Sequence, residues 1–78
     1  MERAVEIAGD MIRLGQLLKL AGVASGGAEA KSLIATGEVT VNGECELRRG
    51  RQLHPGDVVC VGADALRVAG VPSSGGPR

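Results

Sequence analysis

The segment "GEVTVNGECEL", residues 37–47, decides the fold of the second half of this chain. Its valines alternate with polar residues, and this period of two is typical of a half-buried strand. Asn42-Gly43 follows at once. This dipeptide is the strongest short-range signal for a hairpin, because both of its residues tolerate a positive φ. The segment therefore predicts two antiparallel strands joined by a tight turn.

The return strand of this hairpin is predicted to continue the alternation. We expect Cys45 and Leu47 to face the core, and Glu44 and Glu46 to face solvent. Cys45 and Cys60, the two cysteines of the chain, both lie in apolar strand-like segments. We therefore expect buried, reduced thiols. With no CxxC pair and a single histidine, a four-ligand zinc site is not expected.

Upstream of residue 37, the apolar residues follow the spacing of helices. One helix is predicted by the i, i+3, i+4, i+7 stripe of Leu14, Leu17, Leu18 and Ala21. A second helix is predicted before Gly37, with Ser25 as its N-cap. Its expected buried face consists of Ala30, Leu33 and Ile34. A short strand within residues 4–9 precedes both helices.

Two more strands are predicted after the hairpin, at "VVCV" (58–61) and "ALRVA" (65–69). The order is strand, helix, helix and then about four strands. This order predicts an α+β fold in which two short, packed helices lie against a small, mostly antiparallel sheet of about four to five strands. We expect one domain over residues 1–70 and a flexible C-terminal tail over residues 71–78.

Composition restricts the function. The chain has 78 residues and no Phe, Tyr or Trp, so it cannot stack nucleobases on aromatic rings. No signal peptide or membrane-spanning apolar run is recognised, and we expect a cytoplasmic protein. No Ser/His/acid set, phosphate loop or paired carboxylates are evident. We therefore expect neither an enzyme nor a bound cofactor.

Charge is concentrated in one loop. The chain carries nine Lys and Arg against nine Asp and Glu, yet Arg48, Arg49 and Arg51 fall within four residues. No acid in that loop offsets them, although Glu44 and Glu46 are near in sequence. The pattern favours an anion site, most naturally for nucleic-acid phosphates, which the arginine fork binds bidentately. The alternative is a solvated loop that makes scattered salt bridges. Lys19 and Lys31, on the polar sides of the helices, either extend the basic face or are ordinary solvated residues.

Five short motifs together carry a family resemblance: "LLKLAGV", "SGGAEAK", "GEVTVNGE", "LRRGRQL" and "GDVV", in this order and spacing. Residues 12–61 closely resemble the RNA-binding domain named after ribosomal small-subunit protein four, also called the alpha-L motif. The chain is most similar to the short, stand-alone bacterial branch of that family, the YbcJ-like proteins. That similarity extends from "VEIA" through the last strand.

The resemblance implies a helix pair on a curled sheet that binds structured RNA, mainly ribosomal or transfer RNA, as a monomer without a membrane partner. The implied RNA-binding residues match basic positions of the branch or of the wider family; they are Arg13, Lys19, Lys31, Arg48, Arg49 and Arg51. One departure is Gly26-Gly27, where the wider family often carries Ser-Arg. The glycine pair could leave helix amides open to a phosphate.

The sequence leaves two other functional interpretations open. A ubiquitin-like sulfur carrier also shows a "VNGE" hairpin and a terminal Gly-Gly, here Gly75-Gly76, although Pro77 and Arg78 follow. A protein-binding adaptor without RNA contact is the third reading. Nothing in sulfur-carrier chemistry calls for the clustered arginines.

Overall fold

The structure, a computed structural model, describes residues 2–70. The expected tail, residues 71–78, lies outside them. The elements, in chain order, are β1 (Glu2–Glu6), β2 (Ile12–Arg13), α1 (Leu14–Leu20), α2 (Gly27–Ala35), β3 (Val39–Val41), β4 (Glu44–Cys45), β5 (Gln52–Leu53), β6 (Val58–Val61) and β7 (Asp64–Ala69). The α+β architecture with two short helices is confirmed.

The main sheet has five strands in the order β1-β7-β6-β3-β4. All neighbours are antiparallel except β1 and β7, the first and last strands, which run parallel. The expectation of a mostly antiparallel sheet is therefore confirmed. Strands β2 and β5 form a separate two-stranded ladder, in which Ile12 lies opposite Leu53 and Arg13 opposite Gln52. This small ladder fixes the start of α1 beside the loop that precedes β5.

Aliphatic side chains of both helices and of the sheet form one buried cluster. The predicted stripe of α1 is buried, with Leu14, Leu17 and Leu18 fully inaccessible to solvent. On α2, Ala30 and Ile34 are buried and Leu33 is half-buried, as the periodicity predicted. Removing such surface from water contributes roughly 25 cal/mol per Å², so this cluster is the main source of stability in a chain without aromatic residues.

Two boundaries differ from the predictions. The N-terminal strand ends at Glu6 instead of Gly9, because its ladder follows β7, which ends at Ala69. Helix α2 begins one residue later than the predicted cap implied, with Gly26 as its N-cap.

Ser25 has the opposite hydrogen-bonding role to the one predicted. Both its amide and its hydroxyl donate to Glu29 Oε1, at 2.7 and 2.8 Å. The carboxylate reaches back over the first turn and accepts both hydrogen bonds, and no side chain caps the start of α2. These two bonds, the amide bond foremost, lower the pKa of Glu29.

The hairpin turn is as predicted. Asn42 and Gly43 have φ values of 53° and 89°. The Asn42 side chain also joins this turn to the next one. It donates to Asp57 Oδ1 at 3.1 Å and accepts from the Val58 amide at 3.0 Å.

The facing of the return strand was predicted wrongly. Across the turn, Val41 lies opposite Glu44 and Thr40 opposite Cys45. Directly opposite residues share a face, so the glutamates, and not Cys45, lie on the side of the inward valines. Cys45 is accordingly exposed, and the expected burial of its thiol is wrong.

Glu46 and Leu47, which follow Cys45, continue the same alternation of faces. Leu47 is 63% exposed, whereas Glu46 is only 7% exposed. The Glu46 amide still pairs with the Val39 carbonyl at 3.0 Å, although β4 ends at Cys45. The carboxylate of Glu46 is therefore largely buried at the base of the arginine loop. Cys60, on β6, is half-buried.

Candidate nucleic-acid interface

The arginine loop, residues 48–51, is bound to the start of helix α1 by backbone hydrogen bonds. The Leu14 amide donates to the Arg51 carbonyl at 2.9 Å, and the Gly15 amide donates to the Arg49 carbonyl at 3.0 Å. Helix α1 has no side-chain cap. The loop carbonyls therefore satisfy amides that a helix start leaves without partners, and the position of the loop is fixed relative to the helix.

Side chains strengthen this junction. The Arg13 guanidinium donates to the Gly50 carbonyl at 3.1 Å. The stem of Arg49 lies directly against the helix at Gly15, where an added Cβ would come within 2.6 Å of Arg49 Cγ. Ordinary carbon–carbon contacts are about 3.5–4.0 Å. Only a residue without a side chain leaves room for Arg49 in this position.

A pocket of about 330 Å³ opens between α1, α2 and the loop. We call it the basic pocket; its lining residues are Arg13, Gly15, Gln16, Lys19, Gly27, Ala30, Arg49 and Gly50. Three cations from three separate segments meet at it, and none of the described residues that line it is acidic. A concave site with one sign of charge concentrates counter-ions of the other sign, here anions.

The two remaining arginines of the loop bind an acid. Glu46 Oε2 accepts from Arg48 Nε at 3.0 Å, and Glu46 Oε1 accepts from an Arg51 terminal nitrogen at 2.6 Å. Hydrogen bonds from Arg48 and then Arg51 lower the pKa of Glu46 to about 2. The loop itself contains no acid, but Glu46, which precedes it, offsets two of its three arginines. The cause is the strand register, which turns Glu46 inward beneath the loop.

The structure thus divides the six sequence-predicted RNA-binding residues. Arg13, Lys19 and Arg49 line the basic pocket. Arg48 and Arg51 line a second shallow concavity, of about 550 Å³, together with Gly50, Gln52 and His54. Lys31 is exposed on α2 and lines neither of these two pockets. His54 is exposed.

Sequence reasoning missed two residues that shape this interface. Gly15 had a signal, because an isolated glycine inside a helical pattern often marks a close approach. Glu46 had one as well, since a two-residue turn fixes which residues share a face. Gly27, which also lines the pocket, belongs to the glycine pair singled out in the sequence, whereas Gln16 carried no separate signal.

Two structural findings bear on other functions. No helix within residues 2–70 is long and apolar enough to cross a membrane. Among the same residues, no group of three or more His, Cys, Asp or Glu side chains is placed to hold a metal ion.

Comparison with known proteins agrees with the motif resemblance. The S4 domain family matches residues 5–76 of the chain. The chain is also 49% identical over 59 residues to the probable ribosome maturation protein RlbA of Bacillus subtilis (strain 168). The aligned region covers 76% of this chain and 83% of that protein. The similarity therefore extends over most of both proteins.

Proposed function

Because this chain belongs to the S4 domain family, we propose that it binds structured RNA by docking a basic face on the phosphate backbone. The observation that carries the proposal is the convergence of Arg13, Lys19 and Arg49 on one open pocket. Residues 1–70 act as one binding domain, without catalysis and without a cofactor. Ribosomal or transfer RNA is the expected partner, and the name of the Bacillus relative favours a ribosomal context.

The chemistry of the pocket suits phosphate. Arginine offers two parallel N–H donors to one phosphate, and lysine adds a point charge. Arg13 and Arg49 are both held against the loop–helix junction. Less side-chain freedom is therefore lost when a phosphate docks on them.

The composition favours structured RNA over single strands. Without aromatic rings, the protein lacks base stacking, which contributes roughly 1–3 kcal/mol per base in single-strand binders. Helical RNA is recognised largely by shape, phosphates and 2′-hydroxyls. A rigid junction of loop and helix fits such a surface. Family membership gives no support to the sulfur-carrier or adaptor alternatives.

The test is a titration of a labelled RNA hairpin with the protein and four single variants. Arg13→Ala, Lys19→Ala and Arg49→Ala should each weaken binding by roughly tenfold or more, because a charged hydrogen bond contributes about 1.5–3 kcal/mol. Arg67→Ala is the matched control. Its guanidinium pairs with Glu2 at 2.7 Å on the β1–β7 side of the sheet.

Binding to Arg67→Ala should stay within about twofold of the unmodified protein. If all four variants lose affinity equally, only total charge matters and the pocket is not the binding site. If none of the pocket variants loses affinity, the proposed RNA face is wrong.

A further inference from the structure

We propose that Glu46 is a positioning residue for RNA recognition: it keeps Arg48 and Arg51 paired, so that Arg49 is the arginine of the loop that meets phosphate. This inference rests on the proposed function and assigns different roles within the arginine loop. Glu46 thereby affects the preference for hairpin over unstructured RNA as well as the affinity for RNA.

The contacts of Glu46 connect the two ends of the loop. Besides the two guanidinium bonds, its Oε2 accepts from the Arg48 backbone amide at 3.1 Å. The Arg51 amide donates to the Arg48 carbonyl at 3.2 Å, which closes the turn. The Glu46 side chain is 9% exposed, so water competes little for these bonds. The carboxylate thus fixes the loop from inside.

The result is an unequal set of three arginines. Arg49 lines the basic pocket. Within residues 2–70, its guanidinium has no ion-pair partner, whereas those of Arg48 and Arg51 share Glu46. A phosphate that approached Arg48 or Arg51 would meet a guanidinium whose charge is already offset by a carboxylate. A phosphate that approached Arg49 displaces only solvent.

This arrangement favours RNA of fixed shape. Arg13, Lys19 and Arg49 present charges at set positions, which a folded backbone can match. Without Glu46, Arg48 and Arg51 would become mobile cations that any phosphate chain could bind. Nonspecific binding depends mainly on the number of cations available. Glu46 therefore raises the preference for hairpin over unstructured RNA.

The first experiment compares two adjacent arginines. In titrations of a labelled RNA hairpin, Arg49→Ala should weaken binding roughly tenfold or more, and Arg48→Ala less than about threefold. Arg48→Ala leaves Glu46 bound to Arg51 and keeps the hydrogen bond from the backbone amide of residue 48, so we expect this variant to fold. Equal losses in the two variants would overturn the inference. They would leave the proposed function standing.

The second experiment uses Glu46→Gln, which removes the charge and keeps the shape. The ratio of affinities for the hairpin and for an unstructured strand of equal length should fall at least about threefold. The log–log salt slope for the unstructured strand should steepen by roughly 0.7 to 1.4, for one or two newly engaged phosphates. A partly unfolded variant would weaken both RNAs and would not steepen the slope.

An unchanged or increased preference for the hairpin in Glu46→Gln would overturn the inference. If this variant does not fold, the comparison of Arg48→Ala with Arg49→Ala still decides it. If the unmodified protein binds neither RNA, the proposed function fails and the inference fails with it.

Discussion

The substitution Gly15→Ala tests the interface without removing any charge. Gly15 is buried within α1, and the stem of Arg49 lies across it. An alanine Cβ would stand 2.6 Å from Arg49 Cγ and 3.2 Å from Arg49 Cδ. Carbon atoms normally approach to about 3.5–4.0 Å, so the Arg49 stem must move by roughly 1 Å or leave the helix surface.

The fold should tolerate this change. The new Cβ would lie 3.7 Å from the Arg49 carbonyl oxygen, which is an ordinary contact, so the backbone hydrogen bond from Gly15 can remain. Alanine is also a better helix former than glycine, by at most about 0.8–1.0 kcal/mol at this position in the first turn of α1, which offsets part of the lost packing. We expect the free energy of unfolding to change by less than about 1 kcal/mol, a shift in Tm within roughly 8 °C.

RNA binding should weaken nevertheless. Displacing Arg49 removes part of a charged contact whose full value is about 1.5–3 kcal/mol, so we expect a roughly three- to tenfold loss of hairpin affinity. The assay is a titration of labelled hairpin RNA with Gly15→Ala, Arg49→Ala and the double variant. Because both changes act through one side chain, the double variant should bind no more weakly than Arg49→Ala alone.

Arg67→Ala is again the control, because its side chain pairs with Glu2 and does not line the basic pocket. This variant should bind RNA almost as well as the unmodified protein. The reasoning is refuted if Gly15→Ala binds normally, if the two single losses multiply in the double variant, or if Arg67→Ala weakens binding as much as Gly15→Ala does.

Four further outcomes are expected. Because the folded-state pKa of Glu46 is about 2, below its usual 4.5, its contribution to stability is complete above about pH 4.5 and disappears as the pH falls toward 2. Glu46→Gln should thus be less stable than the unmodified protein in denaturant titrations at pH 7 and equally stable near pH 2, and a constant difference would contradict this. Asn42→Ala should lower the free energy of unfolding by about 1–3 kcal/mol, since it loses two hydrogen bonds and places alanine at a φ of 53°; Asn42→Gly, which tolerates that φ, should lose less, and equal losses would leave the backbone argument without support. Hairpin affinity should fall with salt at a log–log slope of roughly −2 to −5, at about 0.7–0.9 per phosphate, and an affinity independent of salt would exclude phosphate contacts. A hairpin should bind better than an unstructured strand of equal length at the same salt, and tighter binding of the strand would contradict shape-based docking.

Much of the fold could be predicted because its signals are local. The stripe of Leu14, Leu17 and Leu18 needs only the helical period, and the turn at Asn42-Gly43 needs only the φ preferences of two residues. The two-residue strands β2 and β5 could not be predicted in this way. A strand of two residues is too short to show an alternating pattern. The pairing of β2 with β5 also depends on the tertiary contact between α1 and the loop.

The candidate site was predicted by residue type but not by arrangement. The cluster of three arginines was visible, but the division of their roles depends on Glu46. Its inward direction follows from the strand pairing: Glu46 lies opposite the buried Val39, and opposite residues of a hairpin point to the same face. The prediction instead followed hydrophobicity and turned Cys45 inward. Arg13, Lys19 and Arg49 come together only through tertiary packing, which no single segment specifies.

The zero net charge of the chain is compatible with an RNA-binding face, because its acids are used elsewhere. Four carboxylates bind groups that stabilise the fold: Glu2 binds Arg67, Glu29 binds Ser25, Glu46 binds the ends of the loop, and Asp57 binds Asn42 and the His54 amide. The basic pocket has no acid in its wall among the described residues. Charges farther than about 8–10 Å are largely screened at physiological salt, so a phosphate in the pocket responds mainly to the three nearby cations.

The same screening and the neutral surroundings give little long-range attraction, and we therefore expect association at an unsteered rate, on the order of 10⁵–10⁶ M⁻¹s⁻¹. Selectivity for folded RNA then has to come from the positions of those cations: Gly15 leaves room for the Arg49 stem against the helix, and Glu46 keeps Arg48 and Arg51 paired.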